Sequence, residues 1–153
     1  MSLIRIVSAT AVALVGVALA TVAFAGAADD AIKGRQACMK AHGQSMKVMV
    51  PMSEGKAPFD KAAVDKILAA EDAACADWDK WWGADTQKGE TVETYAKPEI
   101  WTDAKGFEAA GGVWYEANKA VKASADQAAF NTTFPKLADS CKGCHEKFRR
   151  PKQ

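Results

Sequence analysis

The 153-residue chain has only two histidines, two tyrosines and five prolines, and no surplus of either charge. Twenty Lys and Arg stand against nineteen Asp and Glu, a formal charge of +1. Nucleic-acid and membrane-surface binding both draw on a basic excess, so this balance excludes them as the main role. Five Pro and eleven Gly are too few for a collagen-like or disordered chain. Alternating runs of Val, Ile and Thr are missing, as are hairpin dipeptides such as Asn-Gly, which argues against a β-sheet. No nucleophile with a matching general base is legible either, so the chain does not read as an enzyme.

Long apolar runs are scarce too, with one exception. Residues 1–27 hold a single charge, Arg5, followed by a mostly apolar run from Ile6 to Ala25. Small residues close it at Ala23-Phe24-Ala25-Gly26-Ala27. A basic start, an apolar centre and an Ala-x-Ala ending describe a secretory signal peptide, cut before Ala28 or two residues earlier. An uncleaved anchor is the competing reading, because the run is about long enough to span a bilayer. The Ala-x-Ala ending favours cleavage. The expected mature protein is residues 28–153, exported to a periplasm and no longer attached to membrane.

That remainder reads as four helices. The first should run from about residue 29 to 50, with Ile32, Met39 and Met46 at sevens and Arg35, His42 and Met49 close to the same stripe. Pro51, Gly55 and Pro58 should end it. The second is expected over about 60–82, with Val64, Ile67, Leu68, Cys75, Trp78 and Trp82 on one side. Gly83 should close it before a long polar connection over 83–98. The third opens at Pro98-Glu99, a proline near the first helical position with an acid in the first turn. Its stripe is Ile100, Phe107, Trp114 and Val121. The fourth carries Phe130, Phe134, Leu137, Cys141, His145 and Phe148, and Pro135 must kink it or mark a start near Thr133. The expected fold is all-α, an antiparallel up-down-up-down four-helix bundle.

The chemistry lies at Cys141-Lys142-Gly143-Cys144-His145. This is C-x-x-C-H, the attachment pattern for covalent c-type haem. On a helix, residues three and four apart share a face, so both thiols and the imidazole point the same way. Two thiols can form thioethers with the haem vinyl groups while His145 reaches the iron as proximal ligand. A thioredoxin-like pair would want a βαβ unit, which is missing here. A structural zinc site would need four ligands at finger-like spacings, and Cys38, His42 and Cys75 lie too far along the chain. One covalent haem c is the expected cofactor. The other two cysteines stay open: Cys38 and Cys75 fall at similar heights about the 53–58 turn, and either a disulfide or two buried thiols would fit.

An exported four-helix chain with this ending resembles the class II c-type cytochromes, the cytochrome c′ family with its low-spin Met-ligated relatives. Arg35-Gln36-Ala37-Cys38-Met39 is similar to the family's first-helix motif, in which the distal residue follows the Arg by four. Trp82-Gly83 with Thr86-Gln87 resembles the loop beside the haem, although the family often has an acid where Gln87 stands. Pro98-Glu99-Ile100-Trp101 and Cys144-His145 with Phe148-Arg149 match its third-helix start and its haem-binding end. The resemblance implies that Cys141 and Cys144 hold the haem and that His145 binds the iron. It also places Arg35, Gln36, Thr86 and Gln87 in the haem environment, and Arg149 on the proximal side.

Met39 then decides the mechanism. A thioether bound opposite His145 gives a low-spin, electron-transferring iron. An unbound Met39 leaves an iron open to small gases such as nitric oxide and carbon monoxide, and a methionine can also simply fill a core. The expected function is a periplasmic single-electron carrier serving redox partner proteins, with gas binding as the alternative. His42, one turn on, reads as a solvated histidine before it reads as a ligand. Lys142, Lys147, Arg149, Arg150 and Lys152 make the C-terminal end basic, either to steer an acidic partner or to complement the helix dipole. The resemblance is compatible with a homodimer as well as a monomer.

Overall fold

The computed structural model describes residues 16–151. Five α-helices follow one another: α1 (Gly16–Ser53), α2 (Lys61–Ala74), α3 (Glu99–Thr102), α4 (Ala104–Lys122) and α5 (Gln127–Phe148). Short 3₁₀ turns at Trp78–Trp81 and Ala84–Thr86 punctuate the α2–α3 connection. α1 packs along α2, and α4 along α5. Together these four long helices make a four-helix bundle, with α3 as a short prelude to α4. Residues 1–15, most of the expected leader, lie outside the described residues. α1 passes through the expected cleavage region, where alanines favour helix.

The helix ends explain where the boundaries differ from the expected ones. α1 continues through Pro51 to Ser53. Gly55, at φ 69°, then supplies the left-handed turn that ends it. The Pro51 carbonyl is not orphaned, since Lys56 N donates to it at 2.8 Å. α2 stops at Ala74, eight residues short of the expected Trp82. The tryptophans cause this. Trp81 lies against Gly34 of α1, so closely that a Cβ there would overlap its indole, while Trp78 and Trp82 both pack on Phe107. Asp103 interrupts the third expected helix between α3 and α4, and its side chain accepts from Gly106 N at 3.1 Å. Asp126 caps α5 by accepting from Ala129 N at 2.8 Å, which sets the start at Gln127 and places Pro135 inside the helix.

The apolar core fills one half of the bundle. Met49, Met52, Val64, Leu68, Val121, Phe130, Phe134 and Leu137 are buried together there. The other half, toward Trp78, Trp101 and the C-terminus of α5, is aromatic and polar.

The 83–98 connection is tied down by one carboxylate. Asp29 accepts from the backbone N–H groups of Glu90, Thr91 and Val92 and from the Thr91 hydroxyl. The Thr91 hydroxyl bond is the main reason its pKa falls below the ordinary carboxylate range; burial opposes the shift, and the backbone donors reinforce it. A lowered folded pKa means that ionised Asp29 stabilises the fold above the ordinary carboxylate pKa near 4, and that this is lost as pH falls through the lower folded value. Asp29→Asn should therefore lower the melting temperature at pH 7, and the gap to the parent should close in acid below about pH 4. Thermal unfolding across that range checks it; a gap independent of pH would reject the charge as the cause.

Candidate haem site

α5 carries Cys141, Cys144 and His145 on one face, all three half-buried. The end of this helix is anchored from several sides. Arg149 N donates to the His145 carbonyl at 3.1 Å, and Lys97 Nζ to the Glu146 carbonyl at 2.9 Å. Lys147 pairs with Asp103 at 2.5 Å, and Ala96 forms an isolated bridge with Arg149. The motif is therefore held in place by α3, α4 and the loop before them.

Burial sets its protonation. Desolvation pushes the Cys141 thiol up, with the Glu71 carboxylate adding to the shift, and it pushes the Cys144 thiol up as well. The same burial pushes His145 down, and the nearby Arg149 and His42 add to the shift. The imidazole is thus neutral near pH 7, with a lone pair free for a metal.

Across from α5, α1 supplies Arg35, Met39 and His42 at helical spacing. Arg35 is 5% exposed. Its Nη2 donates to the Thr86 carbonyl at 2.6 Å, and its guanidinium lies 4.8 Å from the Trp82 ring centroid and 5.7 Å from that of Trp101. Burial pushes its pKa down to about 10, which leaves it charged at neutral pH. No carboxylate meets it among the described residues. Its Nε and Nη1 are buried without a hydrogen-bond partner, as is Nε1 of the adjacent Trp82. Buried donors left in this state are costly and call for an anion.

The remaining walls are aromatic. Phe107 packs edge-on against Trp82 at 4.6 Å and against Phe148 at 5.3 Å. Trp101 donates from Nε1 to the Trp82 carbonyl at 3.0 Å. Two thiols three apart, an adjacent neutral imidazole, an aromatic lining and unpaired buried donors make a donor set that fits a haem with its carboxylates.

The other expected site residues are spread around this centre. Met39 is half-buried on the α1 face. Thr86 is buried; its hydroxyl donates to the Trp81 and Gly83 carbonyls at 2.9 and 2.8 Å, so it shapes the turn whose own carbonyl receives Arg35. Gln36 is exposed and donates to the Glu93 carbonyl at 2.7 Å, while Gln87 is exposed. Arg149 is half-buried beside His145. Much of the basic C-terminal charge is engaged: Lys147 by Asp103, Lys142 by Glu146 at 3.8 Å, and Arg150 by the Thr94 carbonyl and the Tyr95 ring.

Two features had not been expected, and a third, the state of Cys38 and Cys75, had been left open. His42 is not solvated: its side chain is 17% exposed and stacks on Trp114, with centroids 4.9 Å apart. Glu71 is 3% exposed and accepts from Asn118 Nδ2 at 2.9 Å. Its signal was present, since Val64, Leu68, Glu71 and Cys75 follow the spacing of a buried stripe and only Glu71 is ionisable. Cys38 and Cys75 form a disulfide, with Cα atoms 4.9 Å apart.

Comparison with known proteins points the same way. The family model described as Cytochrome C' matches residues 30–149. The chain is 33% identical over 124 residues to cytochrome c′ of Rubrivivax gelatinosus, covering 78% of this chain and 94% of that one. The crystal structure of cytochrome c′ from that organism superposes with a TM-score of 0.72 at 29% identity, over 80% of this chain and 97% of the other. A nitric oxide complex of a variant of cytochrome c prime from Alcaligenes xylosoxidans superposes with a TM-score of 0.70 at 27% identity, over 82% and 97% of the two chains. Cytochrome c-556 of Rhodopseudomonas palustris is 27% identical over 142 residues, covering 90% and 95%.

Proposed function

This chain belongs to the cytochrome c′ family of c-type haem cytochromes, whose members carry one covalently bound haem c, and from that premise we propose that it is a periplasmic protein that takes up a small gas such as nitric oxide at its haem. Cys141 and Cys144 would hold the macrocycle through two thioethers, and the neutral His145 imidazole would supply a nitrogen to the iron. When bound, the haem supplies an iron that can take a gas ligand or a single electron. Arg35 would pair with a haem carboxylate through its otherwise unpaired Nε and Nη1, and Trp82 Nε1 would offer a second donor. Trp82, Trp101, Phe107 and Phe148 keep water away from the macrocycle. Met39, half-buried on α1, would offer the haem an apolar neighbour. The reading is of a binding protein rather than an enzyme. The leader at 1–27 delivers the chain to the compartment where covalent haem attachment takes place.

The observation that carries gas uptake is the nitric oxide complex solved on the same fold. A second reading, the electron carrier, is favoured by the chemistry of Met39: a thioether on the α1 face beside Arg35 is a competent sixth ligand. Absorption and paramagnetic resonance spectra of both oxidation states separate the two. Gas uptake predicts a high-spin ferric form and ready carbon monoxide binding after reduction. A low-spin ferric form with a Met-to-iron charge-transfer band that vanishes in Met39→Ala would overturn it and establish the carrier.

A further inference from the structure

Three potential metal ligands, Cys38, His42 and Cys75, gather within 4.8 Å of one another where α1 meets the end of α2, with the Glu71 carboxylate next to His42 and the C-x-x-C-H face close by. The four residues come as two i, i+4 pairs on facing helices: Cys38 with His42, and Glu71 with Cys75. His42 Nε2 lies 3.5 Å from Cys38 Sγ and 3.4 Å from Cys75 Sγ. Glu71 Oε1 is 4.0 Å from the same nitrogen. A tetrahedral zinc ion, with bonds of about 2.3 Å to sulfur and about 2.0 Å to nitrogen, needs sulfur and nitrogen roughly 3.5 Å apart. His42 already stands at that separation from both sulfurs. What does not fit is the bond between the sulfurs.

We propose that the Cys38–Cys75 disulfide masks a metal site, and that its reduction lets the two thiolates and His42 Nε2 hold one divalent ion of the zinc class, with the neighbouring Glu71 carboxylate moving in as the fourth ligand. A dithiol reductant supplies two electrons and two protons to the S–S bond and is itself oxidised to a disulfide. The bond breaks to give two thiols, and the incoming ion displaces both thiol protons to solvent. The sulfurs must then separate to about 3.8 Å, the edge of a tetrahedron whose zinc–sulfur bonds are about 2.3 Å long. Supporting groups are in place. Trp114 stacks on the His42 ring at an interplanar angle of 11°, and Asn118 holds the Glu71 carboxylate. Burial keeps the imidazole neutral by lowering its pKa against the opposing pull of Glu71.

The experiment uses the haem-loaded chain, in which Cys141, Cys144 and His145 are already engaged and do not compete. One sample is kept oxidised and one is reduced with a phosphine and desalted. Both are then dialysed against buffered zinc and analysed for metal. The expected result is one zinc per reduced chain, none per oxidised chain, and two protons released per zinc bound. That comparison needs no substitution, so it stands whether or not a variant folds. His42→Ala and Glu71→Gln should each weaken binding by about tenfold or more. Equal uptake by the oxidised chain, no uptake by the reduced chain, or His42→Ala binding at parental affinity would overturn the proposal.

Discussion

The double substitution Cys141→Ser and Cys144→Ser should yield a chain that retains no haem after acid-acetone extraction, where the parent retains all of it. Serine keeps the helix and the size of the side chain but forms no thioether under these conditions, so the effect is on the covalent link alone. Cys144→Ser by itself leaves one thioether and should still carry extraction-resistant haem in part. The consequence reaches beyond the cofactor. The half of the bundle lined by Arg35, Trp82, Trp101 and Phe107 has buried donors with no partner from the chain, and a site left so loses stability as well as function. Haem staining of a denaturing gel, beside thermal unfolding, reads both effects. Extraction-resistant haem in the double variant would remove Cys141 and Cys144 from the attachment role.

Removal of the Cys38–Cys75 link should lower unfolding free energy by about 4 kcal/mol in the loop-entropy picture. The two residues are 37 apart in sequence, and a cross-link over such a loop restricts the unfolded chain strongly. Cys38→Ala with Cys75→Ala, compared with the parent in denaturant titrations of the haem-loaded protein, measures this. The denaturant midpoint should fall while the high-spin or low-spin character of the haem is kept. A loss under about 1 kcal/mol would mean that the α1–α2 hairpin holds its closure in the unfolded chain by other means.

How far the sequence could be read is best seen element by element. Periodicity found the buried stripe of the fourth helix, and Phe130, Phe134, Leu137 and Phe148 are buried as that stripe requires. It also placed Cys141, Cys144 and His145 on one face, because three- and four-residue spacing is a property of a single helical turn. Boundaries were less legible. Pro51 reads as a stop, yet a proline's missing N–H disturbs only one backbone bond, and Gly55 with its positive φ is what actually turns the chain. Trp78 and Trp82 read as a continued second helix because their spacing is helical. Contacts from Gly34 on α1 and Phe107 on α4 reshape that stretch into a 3₁₀ turn.

The family motif, the all-helical character and the donor set for haem are therefore determined by the sequence itself, since each rests on neighbours within a turn or two. The disulfide, the burial of Arg35 among tryptophans, the grip of Asp29 on the 90–92 backbone and the meeting of His42 with Glu71 are not. Those pairings join residues 29 to 66 positions apart, and only the packing of α1 against α2 and the segment that follows it brings them together. Local periodicity says which way a side chain faces on its own helix. What it meets there depends on the depth and rotation at which the neighbouring helix settles, and that is decided by the core as a whole.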